Sequence, residues 1–187
     1  MDRVRERAAA SCGMSHPSLL AAFGVSCALT VGVPGCRARV TVCRSATLLV
    51  RPGELVVVAG PRGAGRTTLL QCLAGMRPPC AGHLRWRDPP PLRVWRGGDI
   101  GGRRDVGRAR PVRALAEPDP WRMPDGALLL VDDDVVPADR VAALAARTRD
   151  GDAVVWAVRA ASTAAARDIA GPDATLFWLA DGWLRSR

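Results

Sequence analysis

The chain has no tyrosine, only two phenylalanines and two histidines, and every one of its 27 basic residues is arginine. Each shortage removes a class of function. His16 and His83 stand apart, and the six cysteines at 12, 27, 36, 43, 72 and 80 form no C-x-x-C pair. Neither a zinc site nor a disulfide framework is therefore expected, and the thiols read as free and buried in a reducing compartment. A net charge of +9 attracts polyanions in general. It comes here without any nucleic-acid motif or interleaving of arginine with aromatics, and the arginine-only usage beside abundant Ala, Gly, Pro and Val reads as codon bias, so no nucleic-acid partner is expected. Leu19 to Val33 is a mostly apolar run of fifteen residues after a basic start. It is short of the roughly 20 residues that span a bilayer, so no transmembrane segment is expected. The run would suit the core of an export signal, but Ser26, Cys27 and Thr30 interrupt it.

What remains is enough for one folded unit. A hydrophobic fraction of 48% over 187 residues supports a real core. Residues 1–18 carry mixed charge with no apolar period and read as a disordered arm, leaving 19–187 as a single domain. Phe23–Val31 and Arg39–Val50 are β-rich and separated by Gly32, Pro34 and Gly35, and Arg51-Pro52-Gly53-Glu54 turns into the apolar run Leu55–Ala59. Phe23 reads as core rather than as a ring on which a ligand stacks.

That run leads into Gly60-Pro61-Arg62-Gly63-Ala64-Gly65-Arg66-Thr67-Thr68, after which Leu69, Cys72, Leu73 and Met76 recur at helical spacing. A buried strand, a glycine-rich loop and a helix start form a phosphate site in outline. Glycines let the backbone approach an anion, and the first helical turn offers unpaired N–H groups at the positive end of its dipole. The pattern G-x-x-x-x-G-K-[ST] is met by Gly60, Gly65 and Thr67, with Arg66 at the lysine position. Downstream, Ala127–Val131 is an apolar strand ending in Asp132, Asp133 and Asp134. A buried parallel strand of this kind delivers carboxylates to the sheet edge where the loop also lies.

Over Val42–Asp88 the order of segments resembles the opening of an ATP-binding-cassette (ABC) transporter ATPase. The family's "RPGE", P-loop, "TTLL", "LAG", "RP" and glycine-plus-strand are matched by Arg51–Glu54, Gly60–Thr68, Leu69–Leu70, Leu73–Gly75, Arg77–Pro78 and Gly82–Trp86. Thr175–Leu179 and Ala180–Leu184 resemble its closing hairpin. The resemblance implies an α/β fold: a P-loop NTPase-like cassette core, an N-terminal antiparallel β-subdomain and, here, a largely missing helical subdomain. Gly60 and Asp132 are only 72 positions apart, and 88–126 is a shortened Pro-, Gly- and Arg-rich insert. Ile100-Gly101-Gly102 and Arg113–Ala116 are a trace of the family's signature or an ordinary loop.

By the same resemblance the nucleotide-binding residues are Gly60, Pro61, Arg62, Gly63, Ala64, Gly65, Arg66, Thr67 and Thr68, and ATP and Mg²⁺ are the cofactors. Thr67 and Asp132 serve the metal, Asp133 takes the place of the catalytic glutamate, and Asp139 that of the D-loop aspartate. The implied partners are a membrane permease and a second nucleotide-binding domain, at the cytoplasmic, inner face of the membrane. The departures are consequential. Arg66 keeps a positive charge but its planar guanidinium does not replace a compact ammonium. Asp133 is a methylene shorter than glutamate, and the family's glutamine, signature serine and switch histidine are lacking, Arg159 standing in the last place. Binding of Mg-ATP with weak or absent hydrolysis is expected; the alternative is a non-catalytic regulatory or interaction remnant that no longer binds nucleotide.

Overall fold

Alternation and one tight turn decide the first two strands. In the computed structural model, which describes residues 18–86, 92–96, 128–132 and 138–187, β1 (Leu20–Val33) and β2 (Cys36–Val50) are antiparallel and joined at Pro34-Gly35, with Val33 opposite Cys36. The glycine takes a φ of 90°, which L side chains rarely adopt and which a hairpin this tight needs. The apolar run from Leu19 is thus a strand with a buried base: Leu20, Ala22, Val25 and Cys27 lie inside. Ala22 and Val25 both point inward although three residues apart, because the β1–β2 register shifts between them. That irregularity leaves Phe23 outside. It is not core as expected but 38% exposed, and it stacks on His83 with ring centroids 5.1 Å apart.

Among the described residues nine strands form one mixed sheet, in the order β4-β1-β2-β9-β8-β3-β7-β6-β5. The remaining strands are β3 (Leu55–Gly60), β4 (Ala81–Trp86), β5 (Leu92–Arg96), β6 (Leu128–Asp132), β7 (Ala153–Arg159), β8 (Thr175–Ala180) and β9 (Trp183–Ser186). β4 extends the antiparallel end, while β8, β3, β7, β6 and β5 run parallel. Composition gave no strand between Pro91 and Gly97, yet β5 lies there, a five-residue run in which Leu92, Val94 and Trp95 are apolar.

Both faces of the parallel strands are covered, which is why β3 and β7 are apolar at successive positions rather than alternate ones. Val56 and Val58 face one core with Leu69, Leu70 and Leu73 of α1 (Arg66–Leu73). Leu55, Val57, Ala59 and Trp156 face the other, with Leu144 of α2 (Ala138–Arg149) and Ala166 and Ala170 of α3 (Thr163–Ala170). Ser162 caps α3 by accepting from the Ala165 N–H at 3.2 Å. The turn into β3 is tied to its neighbours: Glu54 accepts from Arg51 N–H at 2.9 Å and from Thr175 Oγ1 at 2.8 Å. Among the described residues no helix is long and apolar enough to cross a membrane.

Candidate functional site

Gly60 closes β3 at the carboxyl edge of the parallel strands, beside Ala59–Trp178 on one side and Arg159 on the other. A Cβ at position 60 would drive into the Leu179 carbonyl oxygen of β8, so the first glycine of the loop is required by strand packing. Pro61, Arg62 and Gly63 are exposed, and Ala64 and Gly65 are half-buried. Gly65, at the N-cap of α1, has a φ of 95°, and a Cβ there would meet the Val42 carbonyl oxygen at 2.9 Å. Position 65 thus needs a glycine for conformation and for space. With glycine as N-cap, no side chain caps the helix. The opening N–H groups of α1 have no acceptor within the helix itself.

Thr67 and Thr68 follow in the first turn, Thr68 buried and Thr67 exposed. The Thr67 hydroxyl donates to Asp132 Oδ1 at 3.1 Å, across 65 positions of sequence. The pairing follows from topology: β6 ends at Asp132, one strand beyond β7, which itself lies against β3. A hydroxyl and a carboxylate within hydrogen-bond distance are both hard oxygen donors, so this corner fits Mg²⁺. Register also sets Arg96, at the end of β5, opposite Asp132. No role was expected for that residue, and the alternation around Leu92–Trp95 was the only signal of its place.

Arg66 is buried, 8% exposed, within the first turn of α1. Arg159 ends β7 on the Gly60 register, with the next amide, Ala160 N–H, donating to the Gly60 carbonyl at 3.2 Å. Asp133 lies outside the described residues, as do the insert apart from β5 and the possible signature trace at 100–116; Asp139 falls in the first turn of α2. A groove of about 560 Å³ on β1 and β4, lined by Ala21, Phe23, Leu84 and Trp86 among others, contains none of the predicted site residues.

Behind the loop lies an apolar thiol cluster. Cys27 and Cys43 are cross-strand partners, and both are fully buried with Cys72 of α1. The hydrogen bond with Cys72, and then burial, push the Cys27 thiol up, while burial pushes Cys43 up to about 11. Cys36 and Cys80 are exposed, so the expectation of uniformly buried thiols holds for only part of the set. All five described cysteines are free.

Strand, glycine loop and helix on a mixed sheet, with a carboxylate-bearing strand two places along, make this the fold of an ATP-binding cassette. The ABC transporter family model matches residues 43–104. A zinc import ATP-binding protein from Jannaschia sp. (strain CCS1) is 44% identical over 54 residues, 29% of this chain and 21% of that protein. A cytochrome c biogenesis ATP-binding export protein from Bordetella parapertussis (strain 12822) is 44% identical over 70 residues, 37% of this chain and 26% of that one. The chain thus aligns with only about a fifth to a quarter of these relatives' length. Among solved structures, the dimeric structure of a bacterial ABC transporter cassette matches with a TM-score of 0.58 at 14% identity, covering 90% of this chain and 97% of that one. A Clostridium perfringens protein that is part of an ABC transporter complex matches with a TM-score of 0.57 at 11% identity, covering 90% and 87%. The chain is similar to ABC ATPase domains in sequence over its P-loop third and in fold over nine-tenths of its length.

Proposed function

We propose that this chain is the ATP-binding part of an ABC-type transporter, binding Mg-ATP at Gly60–Thr68 and hydrolysing it weakly or not at all. The hydrogen bond from Thr67 to Asp132 is the observation that carries this reading: it joins the loop to the carboxylate strand at the corner where a phosphate-bound cation would sit. The opening N–H groups of α1, with no side chain capping them, would cradle phosphate oxygens at the positive end of the helix dipole. Thr67 and Asp132 would hold Mg²⁺, which would neutralise phosphate charge. Arg66 would supply the loop's cation less effectively than lysine, and Asp133, a methylene shorter than glutamate, would orient an attacking water less well. The permease and a second cassette are the proposed partners, at the cytoplasmic face of a membrane. As for organisation, residues 19–187 would act as one domain, with 1–18 a disordered arm and 88–126 a reduced insert. The test is a melting curve of the full chain with and without millimolar Mg-ATP. Binding to the native state alone raises the melting temperature, and a curve that does not move at any nucleotide concentration overturns the proposal.

One observation favours the second reading, a remnant that serves as an interaction module without nucleotide. Arg66 is only 8% exposed, so its guanidinium is largely withdrawn from solvent. On that reading the chain binds no Mg-ATP and an Arg66→Ala variant changes stability alone; on the first reading the variant binds Mg-ATP less tightly than the wild type.

A further inference from the structure

The β1–β2 hairpin continues well beyond the core. Cys27 is the last buried residue of β1 and Cys43 the first buried residue of β2, and residues 30–41 between them are exposed throughout. Directly opposed residues of an antiparallel pair share a face. Leu29 with Val40, Val31 with Ala38, and Val33 with Cys36 therefore build one face with no charge and no hydrogen-bonding oxygen. Thr30 with Arg39, Gly32 with Arg37, and Ala28 with Thr41 build the other. Val31 and Val40 are each 45% exposed and Val33 is 66% exposed. Exposed ribbons ordinarily carry charge on both sides, because a bare apolar face invites association.

We propose that this hairpin seats its uncharged face on an anionic phospholipid surface, with Arg37 reaching the lipid phosphates. The choice of partner rests on charge. The ribbon holds two arginines and no acidic residue, on a chain of net charge +9. An apolar protein partner covering both faces would desolvate those guanidinium groups without compensation. At a bilayer surface the apolar side chains enter the headgroup–acyl boundary while long basic side chains snorkel to the phosphates above it. The inference is independent of nucleotide binding.

Flotation of the full chain with vesicles tests it. Vesicles of equal parts phosphatidylglycerol and phosphatidylcholine should carry the protein, pure phosphatidylcholine should not, and added salt should weaken the binding. Arg37 is the better probe of the basic face, since Arg39 donates to Cys80 Sγ at 2.8 Å and changing it disturbs the fold as well. Arg37→Gln should lower affinity by about fivefold, the worth of one basic residue near an anionic surface, and Val33→Asp by about tenfold or more. Arg149→Gln and Ile169→Asp, at exposed sites on α2 and α3, should leave it unchanged. Melting curves confirm that each variant folds. The proposal is overturned if the wild type fails to float with anionic vesicles, or if the hairpin variants bind them as well as the controls do. It is equally overturned if Val33→Asp instead dissolves a dimer of this chain, or if duplex DNA outcompetes the vesicles.

Discussion

Two glycines of the same loop should respond differently to alanine. At Gly60 the new Cβ collides with the Leu179 carbonyl oxygen of the neighbouring strand and presses on Ala64 Cβ at 3.3 Å. Neither a backbone carbonyl nor an alanine Cβ has a flexible end to yield, so β3 and β8 must separate; overpacking of this kind costs about 3 kcal/mol. At Gly63 nothing lies within 4 Å of the added atom, and the cost is only that of holding alanine at a φ of 81°, about 1 kcal/mol. For a chain of this length each kcal/mol moves the melting temperature by about 2–4 °C, so Gly60→Ala should fall by about 6–12 °C and Gly63→Ala by about 2–4 °C. Differential scanning calorimetry without nucleotide reads both. Equal shifts, or a larger one at Gly63, would refute the argument that Gly60 is held by packing.

Asp152 is buried at the start of β7 in an ion pair with Arg147. Asp152→Ala leaves that guanidinium without its carboxylate and should lower stability by about 3–5 kcal/mol in urea unfolding, more than Asp150→Ala at the exposed neighbour. Thr67→Val keeps the shape of the side chain but removes the donor to Asp132; it should cost about 1 kcal/mol in stability and abolish the Mg²⁺ dependence of nucleotide binding measured by calorimetric titration. Alkaline pH should destabilise the fold. Cys43 ionises near 9.0 when unfolded and near 11 when folded, so the folded state keeps a proton that the unfolded state loses between those values. Stability is complete below pH 9 and falls between pH 9 and 11, by about 1.4 kcal/mol per pH unit for each thiol so raised. With no lysine or tyrosine to titrate in that window, a Cys43→Ala variant should show a visibly shallower fall; an identical slope contradicts the assignment.

The parallel half of the sheet was legible because burial on both faces writes continuous apolar runs, as in Leu55–Ala59, Leu128–Val131 and Ala153–Val158. The loop was legible for a different reason: its glycines, threonines and following leucines occur in an order that phosphate chemistry and helix initiation both demand. Phe23 was misread because the alternation of β1 breaks at an irregularity that single-strand periodicity does not anticipate. β5 was hidden by the prolines and glycines on either side of a five-residue strand. The contact between Thr67 and Asp132 could be expected from the resemblance, but its distance depends on strand order, which no local pattern encodes. Sequence signals likewise gave no sign that the hairpin beyond Cys27 stands clear of the core.

Equilibrium titration of the full chain with Mg-ATP, set beside the same titration of Arg66→Ala, tests the central claim most directly. The account predicts weak, saturable binding that needs Mg²⁺ and is further weakened by the substitution. No binding by the wild-type chain at millimolar nucleotide, or binding that is indifferent to Arg66, would contradict it.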